Sequence, residues 1–163
     1  MQNKIIIYTD GAAKGNPGPG GYGIVMKYGQ HRKEMSQGYK LTTNNRMELL
    51  GVIVALETLK YDNCDVVVYT DSKYVVDAIE KKWVFQWERD SFKKKKNIDL
   101  WKRFLIIYRR HQVSFIWVKG HADNIENSVC DRLACEAANG SNLLEDKYYE
   151  DIKNDENNKI FNC

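Results

Sequence analysis

The sequence predicts an α/β fold, a mixed sheet with helices on its faces, and three observations carry that expectation. First, Ile5-Ile6-Ile7-Tyr8-Thr9-Asp10 and Val66-Val67-Val68-Tyr69-Thr70-Asp71 are short β-branched runs without inside/outside alternation, and both close on Tyr-Thr-Asp. Unbroken apolar runs of that length are the pattern of strands covered on both faces. Second, strand-like and helix-like segments follow in the order β-β-β-α-β-α-α-α-β-α, which implies helices packed on a mixed sheet. Third, 163 residues make one domain's worth, and a chain of that size buries roughly 70% of its unfolded surface in a single core.

Taken in order, the first strand starts at Lys4 and ends on Asp10 and Gly11. If the second run lies parallel beside it, Asp10 and Asp71 meet. Clefts in such sheets form at the carboxyl ends of the strands, so the chemistry is expected beside Asp10. Gly11 to Gly21, rich in glycine and proline, reads as a loop next to that site. Tyr22 to Tyr28 and His31 to Tyr39 read as a hairpin turning at Gly29, antiparallel to the first strand. Asn44 to Lys60 carries a wide apolar stripe through Met47, Leu50 and Val54, a buried helix with Thr43 or Asn44 as its cap.

After the Val66 strand, Ser72 can cap a helix running to about Lys82. Trp83 to Arg89 reads as a short helix with Trp83 and Trp87 one turn apart, and Lys93-Lys94-Lys95-Lys96 as a like-charged loop. Asp99 is placed to cap an amphipathic helix with Leu100, Phe104, Ile107 and Tyr108 on one side. Val113 to Val118 is the last expected strand, Lys119 to Asn124 a polar loop, and Glu126 to Ala138 a helix with Val129, Leu133 and Ala137 inward. Residues 141 to 163 read as an acidic tail without full structure.

Composition narrows the function classes. No apolar stretch approaches the roughly 20 residues that a membrane span needs, and Met1 to Lys4 lead straight into the first strand with no signal-peptide pattern. Cys64, Cys130, Cys135 and Cys163 have no Cys-x-x-Cys spacing, which suggests neither a zinc site nor a disulfide framework and fits a reducing cytoplasm. Nothing requires more than a monomer. The formal charge of +3 is uneven: Ser141 to Cys163 carries six acids against three lysines, while Lys81 to Lys96 carries seven Lys/Arg against Glu88 and Asp90. A basic segment of that kind is the footprint of a polyanion.

Glu48 and Asp131 border the apolar stripes of the first and last helices. Brought to Asp10 and Asp71, they would form a site of four carboxylates, which repel one another unless a cation intervenes. Such hard oxygen donors suit Mg²⁺ or Mn²⁺, and two such ions about 4 Å apart can activate a water and stabilise a leaving oxygen in phosphodiester cleavage. Each residue alone has a plainer reading. A single acid is a cap or a surface charge, Trp83 and Trp87 are core, the lysine run is a solvated loop, and His121 is a surface histidine.

Together these residues resemble the ribonuclease H family, bacterial type 1, over about residues 3 to 139. The matching motifs are Tyr8-Thr9-Asp10-Gly11, Gly15 to Gly21, Thr43-Asn44-Asn45-Arg46-Met47-Glu48, Tyr69-Thr70-Asp71-Ser72 and Val118-Lys119-Gly120-His121-Ala122, with Cys130-Asp131 beyond them. The resemblance implies a ribonuclease H-like fold whose five-stranded mixed sheet has the order 3-2-1-4-5, with residues 1 to 140 as the catalytic domain and a basic protrusion at about 81 to 98. It implies an endonuclease that cuts the RNA strand of RNA/DNA hybrids with two Mg²⁺ ions, for which Mn²⁺ can substitute, leaving a 5′-phosphate and a 3′-hydroxyl. Asp10, Glu48, Asp71 and Asp131 would be the metal ligands, with His121 assisting proton transfer or product release.

By the same resemblance Asn16, Asn44 and Asn45 would read the minor groove, where 2′-hydroxyls distinguish RNA from DNA. Thr43 would meet a DNA phosphate, and Ser72 would join the substrate contacts. Trp83 and Trp87 would lie against deoxyribose, with Lys93, Lys94, Lys95 and Lys96 on DNA phosphates. Lys73 stands where glutamine is expected, and Leu41 where some relatives carry a phosphate-binding arginine. Two rivals remain: a DNA-cutting nuclease on the same sheet, and a hybrid-binding module without catalysis. The asparagines argue against the first and the clustered acids against the second.

Overall fold

The computed structural model describes residues 3–119 and 124–161. Three antiparallel strands open the chain: β1 (Ile5–Ala13), β2 (Gly18–Tyr28) and β3 (His31–Thr42). After α1 (Asn44–Glu57) comes β4 (Asp65–Thr70), parallel to β1 with Tyr8 opposite Tyr69. Next come α2 (Lys73–Glu80), α3 (Trp83–Arg89), α4 (Ile98–Tyr108) and β5 (Gln112–Trp117), the last parallel to β4. The chain then forms α5 (Ile125–Asn139), β6 (Leu143–Leu144) and α6 (Lys147–Phe161). The strand order is β5-β4-β1-β2-β3-β6, the expected five-stranded order with a sixth strand added at its outer edge.

The sheet separates two layers. Ile7, Ile24, Val66 and Val68 point into the main core with Met47, Val52 and Ile53 of α1 and with Trp101 and Phe104 of α4. The opposite face of β1, β2 and β3 carries α5, whose buried residues are Asn127, Cys130, Ala134 and Ala138; the expected Val129, Leu133 and Ala137 are half-buried beside them, with Leu133 and Ala137 against Gly23 and Gly21. Small residues face the sheet because the helix lies very close to it. A Cβ on Gly23 would stand 2.2 Å from the carbonyl oxygen of Cys130, so glycine is required there.

Several expectations are corrected. The glycine-rich run is mostly strand: β1 continues to Ala13 and β2 begins at Gly18, with Ala12 opposite Gly21 and Ala13 opposite Gly20, because these glycines serve close packing as well as turning. Asp99 does not cap α4. Asn97, with φ of 61°, precedes the helix, and Asp99 instead binds the buried Arg46.

Residues 141–161, expected as an acidic tail, form β6 and α6. Leu143 and Leu144 pair with Gly38 and Tyr39, and Asp146 is 8% exposed, accepting from Arg46 Nε at 2.6 Å and from the Thr42 hydroxyl at 2.8 Å. The buried guanidinium selects those two carboxylates, Asp99 and Asp146, because an uncompensated charge in the core is too costly. Among the described residues no helix is long and apolar enough to cross a membrane.

Candidate active site

Register brings the acids together. Tyr8 of β1 lies beside Tyr69 of β4, their rings stacked at 4.9 Å, so the chain positions two residues on, Asp10 and Asp71, emerge side by side at the carboxyl ends of the strands. Glu48 arrives from the start of the second turn of α1, a helix that Thr43 caps by accepting from Arg46 N at 3.2 Å. A Cβ on Gly11 would stand 2.4 Å from Glu48 N, so its absence lets the helix come down onto the strand end. Asp131 reaches the same cleft from α5, because Gly23, the register partner of Asp10, admits that helix. Carboxylate oxygens of Asp10, Glu48 and Asp71 all lie within 4.8 Å of one another. Asp131 stands at the exposed rim and does not join that set, although its charge acts on Asp10.

The electrostatics follow from this crowding. Burial, together with the charges of Asp71 and Asp131, raises Asp10 from its ordinary 3.8 to about 7, against a lowering hydrogen bond with Glu48. Burial first and the Asp10 charge second hold Glu48 well above the usual carboxylate range. Glu48 Oε2 is buried with no hydrogen-bond partner among the described residues. An orphaned carboxylate oxygen beside two further acids is a poor arrangement for protein alone. It is a fitting donor set for a hard divalent cation, which Asp10, Glu48 and Asp71 could hold with Asp131 at the edge. Burial, with Asp10 next, pushes the Cys130 thiol up to about 12, and its Sγ donates to the Tyr8 carbonyl at 3.2 Å. That thiol is structural and not a nucleophile.

The other expected residues surround this cleft. Asn44, Asn45, Ser72 and Lys73 line it. Ser72 also caps α2, accepting from Val75 N at 3.3 Å. Asn44 N donates to Asn16 Oδ1 at 3.0 Å, and Asn44 Oδ1 accepts from Ala13 N, so both carboxamides spend their oxygens on backbone N–H groups, at the start of α1 and the end of β1, and retain their NH₂ groups as donors. Asn16, Thr43 and Asn45 continue into a neighbouring groove of about 500 Å³ that reaches Lys95 and Lys96. Trp83 is 46% exposed, with Lys81 Nζ 5.0 Å from its ring centre. Trp87 is more enclosed, edge-on to Trp101 at 5.7 Å with Lys95 above it at 5.0 Å, so the two indoles do not share one exposed face. Lys93, Lys94, Lys95 and Lys96 are exposed. His121 lies outside the described residues.

The family model for RNase H matches residues 2–139. The chain belongs to the ribonuclease H family. Ribonuclease H of Rippkaea orientalis is 53% identical over 152 residues, which cover 90% of this chain and 93% of that relative. Among solved structures, LC9-RNase H1, a type 1 RNase H, superposes with a TM-score of 0.77 at 31% identity, covering 92% of this chain and 81% of its own. LC11-RNase H1, solved in complex with an RNA/DNA hybrid, gives 0.66 at 28% identity, with 83% and 97% covered. The fold and the enzyme class are therefore those of a bacterial type 1 ribonuclease H.

Within this ribonuclease H, three features near the cleft escape the motif-based reading. Arg46 is 2% exposed and bridges Asp99 and Asp146. Its signal in the sequence is an arginine directly beside the apolar stripe of α1. Trp117 donates from Nε1 to the Asp71 carbonyl at 3.1 Å and carries Lys73 Nζ at 4.8 Å over its ring, buttressing one acid. Tyr148 and Tyr149 border the groove from α6, and an aromatic doublet inside an otherwise acidic tail is a signal against disorder.

Proposed function

We propose that the chain is an endonuclease that hydrolyses the RNA strand of RNA/DNA hybrids by a two-metal-ion route, leaving a 5′-phosphate and a 3′-hydroxyl. The observation that carries this reading is the convergence of Asp10, Glu48 and Asp71 within 4.8 Å, with Asn44 and Asn45 lining the same cleft. Two Mg²⁺ ions held by these acids and Asp131 would supply the charge that activates water and stabilises the leaving 3′-oxygen.

The protein's own groups do the rest. Asp10, central among the acids, would be one of the metal ligands, and the buried Glu48 Oε2 would offer an oxygen that no hydrogen bond among the described residues occupies. Asn16, Asn44 and Asn45 donate to minor-groove acceptors and 2′-hydroxyls, which selects the strand to be cut. Thr43 uses its oxygen in the helix cap and keeps its O–H to offer a phosphate, while Ser72 steadies the rim as cap of α2. Trp83, Trp87 and Lys93 to Lys96 hold the DNA strand without reading its sequence. His121 is assigned proton transfer or product release on its family motif, and His121→Ala is expected to slow the reaction without stopping it. Residues 1–140, with the protrusion at 81–98, form the catalytic unit. We place it as a monomer in a reducing cytoplasm, in keeping with free Cys64, Cys130 and Cys135.

One labelled sequence presented as hybrid, RNA duplex, DNA duplex and single strands, with and without Mg²⁺, tests the reading. Metal-dependent cutting of the hybrid's RNA strand alone is expected. Cutting of DNA duplex would transfer the chain to the DNA nucleases, and tight hybrid binding without cutting would make it a binding module.

A further inference from the structure

The C-terminal helix has no part in the reading above, yet it borders the same groove. On one side of that groove stand Asn16, Thr43 and Asn45, and on another Lys95 and Lys96. The third wall is α6, through Tyr149, Ile152, Lys153 and Glu156. We infer that α6 is part of the hybrid-binding surface, and that Lys153 contacts a phosphate of the strand held by Thr43, Lys95 and Lys96. This rests on the hybrid reading of the neighbouring site.

The geometry fixes Lys153 in place. Asp99 and Asp146 clamp the buried Arg46 through both carboxylates. The Arg46 guanidinium lies 5.8 Å from the Tyr149 ring centre, and Lys153 Nζ lies 5.7 Å from the same ring. The buried ion network thus sets Tyr149, and Tyr149 sets the ammonium at the groove's edge. Most of Arg46's charge is cancelled by its two partners, so the groove's usable cations are Lys95, Lys96 and Lys153. An acidic helix laid against a polyanion would repel it. The helix lines the groove with Tyr148, Tyr149, Ile152, Lys153 and one acid, Glu156, while Asp151 and Asp155 lie outside that lining. Lys153 Nζ meets Glu156 at 3.1 Å, an exposed pair one turn apart. Such pairs are worth little, so phosphate oxygens can take Glu156's place without large cost.

The test uses the full chain and a short RNA/DNA hybrid, with binding followed across a salt series and cleavage in Mg²⁺. Lys153→Gln is expected to weaken hybrid binding and raise KM about threefold to tenfold at low salt, and to reduce the slope of log K against log salt by about one. kcat and the melting temperature should stay near those of the parent chain. Lys153→Arg should restore affinity and slope. Neutral methylphosphonate linkages in the DNA strand at the groove should erase the difference between the parent and Lys153→Gln. Unaltered affinity and salt slope in Lys153→Gln, with normal binding by the parent, would overturn the proposal while leaving the hybrid reading intact. So would a loss of melting temperature that Lys153→Arg fails to repair, since that is a packing role. Failure of the parent itself to bind hybrid would sink both.

Discussion

At the scale of single residues, the site stores its function as electrostatic stress. Asp10 is held near 7 from an ordinary 3.8, chiefly by burial. A carboxyl whose folded pKa lies above its unfolded one contributes stability that is fully present below about 3.8 and is lost as pH rises through about 7. Without divalent ions, the melting temperature is therefore expected to fall between mildly acidic and mildly alkaline pH, and Mg²⁺ should restore it most strongly at the alkaline end. A metal-free melting curve flat across that range would count against a converged site. Asp10→Asn removes the central charge: cleavage should be abolished with hybrid binding largely retained, and the metal-free protein at pH 8 should melt roughly 3–6 °C higher. Parent-level turnover by this variant would remove Asp10 from the mechanism.

At the scale of elements, close approach and exposed charge divide the work. The α5 helix can bring Asp131 to the cleft only because Gly23 offers it bare backbone. Gly23→Ala is expected to cost about 1–3 kcal/mol and to raise the Mg²⁺ concentration needed for half-maximal activity, as overpacking lifts the helix off the sheet. Thermal melting and a Mg²⁺ titration check the two effects together, and a variant changed in neither would show that the sheet yields without moving α5. The lysine loop contributes in the opposite way, through exposed charge. Replacing Lys93, Lys94, Lys95 and Lys96 with alanine should weaken hybrid binding and flatten its salt dependence, with little effect on melting. An unchanged salt slope would make the loop a bystander.

At the scale of the whole molecule, one buried cation ties the last segment to the first helix. Arg46 on α1 meets Asp99 at the start of α4 and Asp146 just before α6, and Asp146 also accepts from Thr42 at the end of β3. Removing the guanidinium would strand two acids, one of them buried. Arg46→Ala is therefore expected to destabilise the fold by about 3–5 kcal/mol and to open α6 to proteolysis at Lys147, Lys153 and Lys159. Denaturant unfolding and limited trypsin digestion measure both, and parent-like resistance would mean that β6 alone anchors the tail.

Much of this was legible from the residues alone. The two β-branched runs closing on Tyr-Thr-Asp announced neighbouring parallel strands and the meeting of Asp10 with Asp71, because strand pattern and chain direction are local properties. The motifs around Glu48 and Asp131 marked their place in the family for the same reason. What the linear order did not carry was distance through space. Only the folded chain decided that three acids close within 4.8 Å while Asp131 stays at the rim, that Trp87 turns toward Trp101 while Trp83 stays exposed, and that Asp99 serves Arg46 instead of capping its helix. The acidic C-terminal segment is the clearest case. Its composition resembled a solvated tail, and its order depends on a buried arginine 100 positions earlier in the chain, a partner that no local pattern can reveal.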